Sequence, residues 1–145
     1  MEMIFKKLNI FNLFELLKFL KRNDSVFFKP HKYNILTLFK NLLSKDIFIL
    51  QYINDELVGY GMLRGWQEGY DIPSLGIIIN KEHRGKRLSE KMMEFLHELA
   101  KRKNCEKIML RVSRDNYKAI NLYKKMGYEL SDYDENLLIG YKKLN

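Results

Sequence analysis

Residues 74–112 read SLGIIINKEHRGKRLSEKMMEFLHELAKRKNCEKIMLRV, and this stretch decides the fold. Ser74 to Asn80 reads as a buried strand. Lys86 to Lys103 carries Leu88, Met92, Phe95 and Leu99 at i, i+4, i+7 and i+11, the spacing of an amphipathic helix. Lys107 to Val112 is a second strand. A strand, a helix and a strand in succession imply a right-handed crossover between parallel neighbours, which commits the chain to the α/β class with one central sheet.

Working outward toward the N-terminus, Asp46 to Ile53 and Leu57 to Trp66 are dense in β-formers, and Asn54-Asp55-Glu56 between them makes the turn of a hairpin. Gly65 to Asp71 is an aromatic, acidic loop. Farther upstream, Tyr33 to Ser44 places Leu36, Phe39, Leu42 and Leu43 on one helix face, and Phe11 to Arg22 has Leu13, Leu16, Leu17 and Leu20 at helical spacing. Pro30 disfavours helix between these two segments, and Met3 to Lys7 reads as a short edge strand. Toward the C-terminus, Asn116 to Met126 is a helix stopped by Gly127, and Tyr128 to Ser131 with Leu137 to Lys143 supply two closing strands. The predicted order is βααβββαβαββ. Hairpins plus one crossover give a single mixed, mostly antiparallel sheet with helices on both faces. No repeat or linker divides residues 1–145, which are read as one domain.

Composition narrows the function classes. No apolar run approaches the roughly 20 residues a membrane-spanning helix needs. Asn9, Asn12, Glu15 and Lys18 interrupt the apolar region after Lys6 and Lys7, so it does not read as a secretory signal. The single cysteine, Cys105, cannot form an internal disulfide, and no His/Cys spacing suits zinc, so the expectation is a cytoplasmic protein without a metal. Lys and Arg exceed Asp and Glu by 26 to 18, giving +8, but the excess is scattered along the chain. It reads as solvated surface, with neither nucleic acid nor membrane as the expected partner.

Chemistry concentrates in two segments. From Asn80 to Arg87 the chain leaves a strand and enters a helix through Lys81-Glu82-His83-Arg84-Gly85-Lys86. A helix start presents unpaired backbone N–H groups with partial positive charge, a natural seat for a pyrophosphate. Gly85 allows close backbone approach, and Lys86, Arg87 and Lys91 add charge. In the second segment, NYKAINLYKKMG, Asn116, Ala119 and Tyr123 stand at i, i+3 and i+7 on one helix face. Helix physics alone reads this as a capped helix with Ile120, Leu122 and Met126 packed inward.

Together the two segments resemble the cofactor-binding half of GNAT N-acetyltransferases. Arg84 to Ser89 is similar to that family's Arg/Gln-x-x-Gly-x-Gly/Ala turn, with Arg87 and Ser89 standing where the motif has glycine, and glycine or alanine. Asn116, Ala119, Tyr123, Gly127 and Tyr128 match the second GNAT signature at every position. The resemblance implies acetyl-CoA as co-substrate. It implies that Arg84, Gly85, Lys86, Arg87, Leu88 and Ser89 hold the pyrophosphate, and that Asn116, Ala119 and Tyr123 face the pantetheine. Backbone N–H groups of Ile77, Ile78 and Ile79 would serve the oxyanion, and Tyr123 would protonate the departing thiolate.

Many members of that family carry a Glu early in the strand before the phosphate turn, where this chain has Pro73-Ser74-Leu75-Gly76. Glu68 and Asp71 are then the nearest acids in sequence for the role of base. The acceptor site expected from the resemblance falls on His31, Arg64, Trp66 and Tyr70, with a core-edge role for Trp66 and Tyr70 and a solvent-facing His31 as the rival reading. His83 and His97 read as dispensable, and Cys105 has no His partner for a covalent route. The expected activity is acetylation of a small-molecule primary amine by direct attack in a ternary complex. The alternatives are acetylation of a protein N-terminus or lysine, and a non-catalytic acetyl-CoA-binding module. The chain could also pair as a homodimer.

Overall fold

The computed structural model describes residues 2–25, 27 and 29–145. In order, the elements are β1 (Met3–Lys7), α1 (Leu13–Arg22), α2 (Ile35–Leu42), β2 (Ile47–Ile53), β3 (Glu56–Arg64), β4 (Ser74–Ile79), α3 (Leu88–Arg102), β5 (Lys107–Ser113), α4 (Tyr117–Lys125), β6 (Glu129–Asp132) and β7 (Leu137–Lys143). A short 3-10 turn, Lys81–His83, stands between β4 and α3. The βααβββαβαββ order matches the expected one. All seven strands join one sheet in the order β1-β2-β3-β4-β5-β7-β6. Only β4 and β5 pair in parallel, as the crossover requires.

Local chemistry explains the edges of these elements. Asn54 and Asp55 both take positive φ (47° and 68°), the pairing a two-residue hairpin turn demands and these residue types tolerate, so Glu56 already belongs to β3. Asn34 caps α2 by accepting the Thr37 N–H, and Asn116 caps α4 by accepting the Ala119 N–H. Helix α3 starts at Leu88, two residues later than its periodicity suggests, because Arg87 is left-handed (φ 61°) and cannot be helical.

Two apolar layers sandwich the sheet. On one face, α1 and α2 pack Leu16, Leu20 and Leu38 against Phe48, Leu50, Tyr60 and Met62. On the other, α3 and α4 pack Met92, Met93, Leu96 and Ile120 against Leu63, Leu75, Ile108 and Leu110. β3 serves both layers through its period of two, with Tyr60 and Met62 up and Gly61 and Leu63 down. Leu16, Leu20 and Leu38 are fully buried, and truncating any one to Ala removes roughly 2–5 kcal/mol. The expected face of α2 is corrected here. Leu36, Phe39 and Leu43 are exposed, while Leu38 is buried and Leu42 packs beside it. Both stripes have helical spacing, and only the position of the sheet chooses between them.

Candidate active site

Helix α3 leaves the C-terminal end of β4, and α4 begins just past the C-terminal end of β5. What lies between those two strand ends therefore sits beneath two helix starts. β4 and β5 are joined at one place only. Ser74 pairs with Met109, and the Met109 N–H donates to the Pro73 carbonyl at 3.0 Å. Beyond it no β5 residue pairs with β4, so the two strands splay apart toward Ile79 and Ser113.

Antiparallel pairing with β3 decides which β4 groups face this opening. The Asn80 N–H donates to the Val58 carbonyl at 2.8 Å, and bonding alternates along an antiparallel pair. Asn80, Ile78 and Gly76 thus direct their backbone groups to β3, while Ile79, Ile77 and Leu75 direct theirs to the β5 side. Ile77 and Ile79 are left with N–H groups aimed into the opening. Ile78 is not equivalent to them, which corrects the expectation that all three isoleucines donate there; its side chain packs with Tyr60 on the α1/α2 layer.

At the mouth, the turn takes its shape from two left-handed residues, Gly85 (φ 83°) and Arg87 (φ 61°), with Arg84 extended before them. Alternating backbone hands of this kind gather N–H groups into an anion-binding concavity. Arg87 is the N-cap of α3, yet no side chain caps the helix, so its first-turn N–H groups remain available. The Arg87 guanidinium turns away from them, with Nη2 bonded to Glu90 at 2.9 Å; Lys125 of α4 meets the other carboxylate oxygen of Glu90 at 2.6 Å. Lys125 and Arg87 together hold the Glu90 carboxyl below the usual carboxylate range. Arg84, Gly85 and Lys86 are exposed, Leu88 is buried and Ser89 half-buried. Beneath the turn, Gln51 of β2 donates its side-chain N–H to the Leu88 carbonyl at 3.2 Å, pinning the helix start to the sheet.

Tyr123 of α4 lies deeper. It is buried in the layer that also contains Leu75 and Ile77 of β4 and Leu110 and Val112 of β5. Seven residues past the Asn116 cap, it sits about 10 Å in from the helix start. Burial pushes its phenol up to about 12, so it is protonated at neutral pH. Its hydroxyl has no hydrogen-bond partner among the described residues. Asn116 spends its side-chain oxygen on the Ala119 N–H at 3.3 Å, which is the capping role.

On the opposite face of the sheet, the loop between α1 and α2 meets β3. The His31 Nδ1 lies 3.0 Å from the Lys32 carbonyl, which can only accept, so Nδ1 carries the proton. Burial lowers the His31 pKa, leaving it neutral, and its Nε2 accepts the Tyr60 hydroxyl at 2.9 Å. His31 is therefore half-buried and held against the sheet rather than turned wholly to solvent. Arg64 donates to the Pro30 carbonyl beside it. Ring contacts with Tyr33, Phe48 and Tyr60 surround the imidazole. Tyr60 pairs with Ile78 across the ladder, so this polar cluster lies one strand from the splay.

The structure thus brings His31 and Arg64 together and separates them from the other two expected acceptor residues. Trp66 packs against the α3/α4 layer, and Tyr70 is 63% exposed. Glu68 and Asp71 are also exposed. Asp71 acts on Cys105, at the start of β5, which places it at the joined end of β4 and β5. From Ser74, at that end, to Ile77, the nearer of the two donors, is about 10 Å along β4 at 3.3 Å per residue, and both acids precede Ser74 in the chain. Sequence reasoning missed Tyr60, whose role is visible only once His31 folds over it, and His97. Among the described residues, no group of three His, Cys, Asp or Glu side chains is set to hold a metal ion, and no helix is long and apolar enough to cross a membrane. Clefts of about 310 and 410 Å³ lie at the β2–β3 turn and between β1, β2 and α3, and neither is lined by Ile77, Tyr123 or residues 84–89.

Comparison with known proteins agrees with this fold. An acetyltransferase of Pectobacterium atrosepticum is 29% identical over 87 residues, which are 60% of each chain. The matched stretches span 60%, 36% and 64% of the lengths of three curated bacterial relatives. Among solved structures, the PaiA N-acetyltransferase of Thermoplasma acidophilum in complex with coenzyme A superposes with a TM-score of 0.83 at 19% identity, covering 99% of both chains. A chimera of the spermidine N-acetyltransferase SpeG from Vibrio cholerae gives 0.83 at 18% identity over 99% of this chain and 96% of that one. These likenesses establish the fold. The sequence matches the Acetyltransferase (GNAT) family over residues 12–128, most of its length, and the chain belongs to that family.

Proposed function

We propose that the chain transfers the acetyl group of acetyl-CoA to the primary amine of a small molecule by direct attack in a ternary complex. The observation that carries this reading is the splay of β4 from β5, with the N–H groups of Ile77 and Ile79 on one lip and Tyr123 beneath it. The complex of the Thermoplasma protein with coenzyme A supports the choice of co-substrate.

In this reading the first-turn N–H groups of α3, with Arg84, Gly85 and Lys86, receive the pyrophosphate. The thioester lies in the splay, where the Ile77 and Ile79 N–H groups meet the oxyanion formed when the amine adds to the carbonyl carbon. As the C–S bond breaks, Tyr123 donates to the sulfur. A thiol with a reference pKa of about 8.5 is a stronger acid than a phenol near 12, so Tyr123 acts mainly through a hydrogen bond that strengthens as charge develops on the thiolate. The amine loses its proton to water or to a base on the acceptor side. Glu68 and Asp71, set in the loop before the joined end of β4 and β5, would act there through ordered water. The cluster of His31, Arg64 and Tyr60 faces the acceptor in their place.

The test is amine-dependent release of free thiol from acetyl-CoA, across polyamines, amino sugars, amino acid derivatives and peptides with free N-termini or lysines. Turnover with a small amine is the expected result. Turnover with peptides alone would favour protein acetylation. A melting shift without turnover would favour a non-catalytic module, since acetyl-CoA at a hundredfold its Kd stabilises any binder by about 2.7 kcal/mol. The absence of both turnover and a melting shift overturns the reading.

A further inference from the structure

His97 and Tyr128 belong to no step above, yet both are buried and lie 2.7 Å apart at their Nε2 and Oη atoms. What Tyr128 does follows from how α4 ends. Gly127 is left-handed (φ 93°), its N–H donates to the Lys124 carbonyl at 3.1 Å, and the Tyr128 N–H donates back to the Tyr123 carbonyl at 3.0 Å. This pair of bonds is a Schellman motif, which brings the residue after the glycine against the one five positions earlier. Here those residues are Tyr128 and Tyr123, with ring centroids 6.0 Å apart. Tyr123 is thus held by its own helix on one side and by the Tyr128 ring on the other. Packing buries the Tyr128 ring to 3% exposure, and the hydrogen bond between its hydroxyl and His97 of α3 adds the one directional tie on it.

We propose that His97 is a positioning residue for Tyr123, fixing the Tyr128 ring through its hydroxyl and so setting where the Tyr123 phenol points in the splay. The inference rests on the acetyl-transfer reading for its catalytic consequence, but the positioning itself can be read without turnover. His97 stands four residues after Met93 and three before Ala100, both fully buried, so it lies on the inner stripe of α3. It is the only buried polar residue of that helix. An apolar side chain would satisfy the stripe as well, and the hydrogen bond to Tyr128 is what distinguishes the histidine.

The experiment compares His97→Leu, His97→Gln, Tyr128→Phe and the double variant His97→Leu/Tyr128→Phe in two readouts. The first is the NMR signal of Tyr123 in protein labelled with ¹³C at the tyrosine ring. One sharp Tyr123 environment is expected in the parent and in His97→Gln, whose amide still bonds the hydroxyl. A shifted or averaged one is expected in His97→Leu and Tyr128→Phe. The second is steady-state kinetics. Each disrupting variant should lower kcat by about tenfold to a hundredfold, the scale of a small misplacement of a reacting group. KM for acetyl-CoA should stay within twofold, the double variant should be no worse than either single one, and His97→Gln should recover most of the loss. An unchanged Tyr123 signal in Tyr128→Phe overturns the proposal, as do additive losses or losses confined to KM. Should His97→Leu not fold, Tyr128→Phe removes only one oxygen and carries both readouts alone. A parent protein without turnover would overturn the acetyl-transfer reading, while the NMR comparison would still decide the positioning role.

Discussion

Arg87 occupies a left-handed position that glycine would adopt without strain, and the cost of an L-residue there is about 1–2 kcal/mol. Against that stands an exposed ion pair with Glu90, a kind of contact that adds little to stability. Strain outweighs the pair, so Arg87→Gly should leave the denaturant midpoint unchanged or raised. Because the guanidinium is turned to Glu90, the same variant should change KM for acetyl-CoA by less than about threefold, below about 0.7 kcal/mol. A larger loss would mean that Arg87 swings onto the phosphates. Tyr123→Phe tests the other end of the site. It removes one hydroxyl from a buried ring, so the melting temperature should hold while kcat falls by roughly a hundredfold or more, read as thiol release at saturating acetyl-CoA. The turn and the tyrosine were both legible in the sequence because each is a local pattern. His31 with Tyr60, 29 residues apart, and His97 with Tyr128, 31 apart, were not, because nothing in either segment alone announces its partner.

Element packing depends on small residues where two layers come close. A Cβ on Gly61 of β3 would lie 2.5 Å from the Met92 sulfur and 3.0 Å from a Leu96 methyl group, so α3 sits on the sheet only because that side chain is missing. Gly61→Val should therefore destabilise the protein by about 1–3 kcal/mol, measured by urea denaturation, with methionine flexibility setting the lower end. It should also raise KM for acetyl-CoA, since lifting α3 moves the turn at its start. A neutral Gly61→Val would show that α3 does not rest on this contact. Every element was legible as a type, since periods of 2 and 3.6 are local. Boundaries moved by one or two residues where a cap or a left-handed residue intervened, as at Arg87. The buried face of α2 was misread because Leu36, Phe39 and Leu43 form a stripe as regular as Leu38 and Leu42.

Across the whole molecule, one buried histidine and one half-buried histidine tie stability to pH in the same direction. Burial depresses His97 from its ordinary 6.5 to about 4 and also lowers His31, so the folded state binds fewer protons than the unfolded one across that window. Stability is complete above pH 6.5 and falls as the pH drops toward 4. His97 contributes on the order of 1–3 kcal/mol of this loss once solvent screening is allowed for. Urea midpoints measured from pH 7.5 to 4 should fall in the parent and fall less in His97→Gln; equal slopes would remove His97 as the cause. The sequence by itself determined the layered α/β order, the crossover and the two signatures, because each is written in residues close along the chain, where periodicity and caps act. Only the tertiary structure decided which isoleucines face the splay, which face of α2 is buried, that Glu68 and Asp71 lie at its closed end, and that His31 and His97 have hydroxyl partners. Those depend on strand pairing and layer packing, which bring together groups that no local pattern relates.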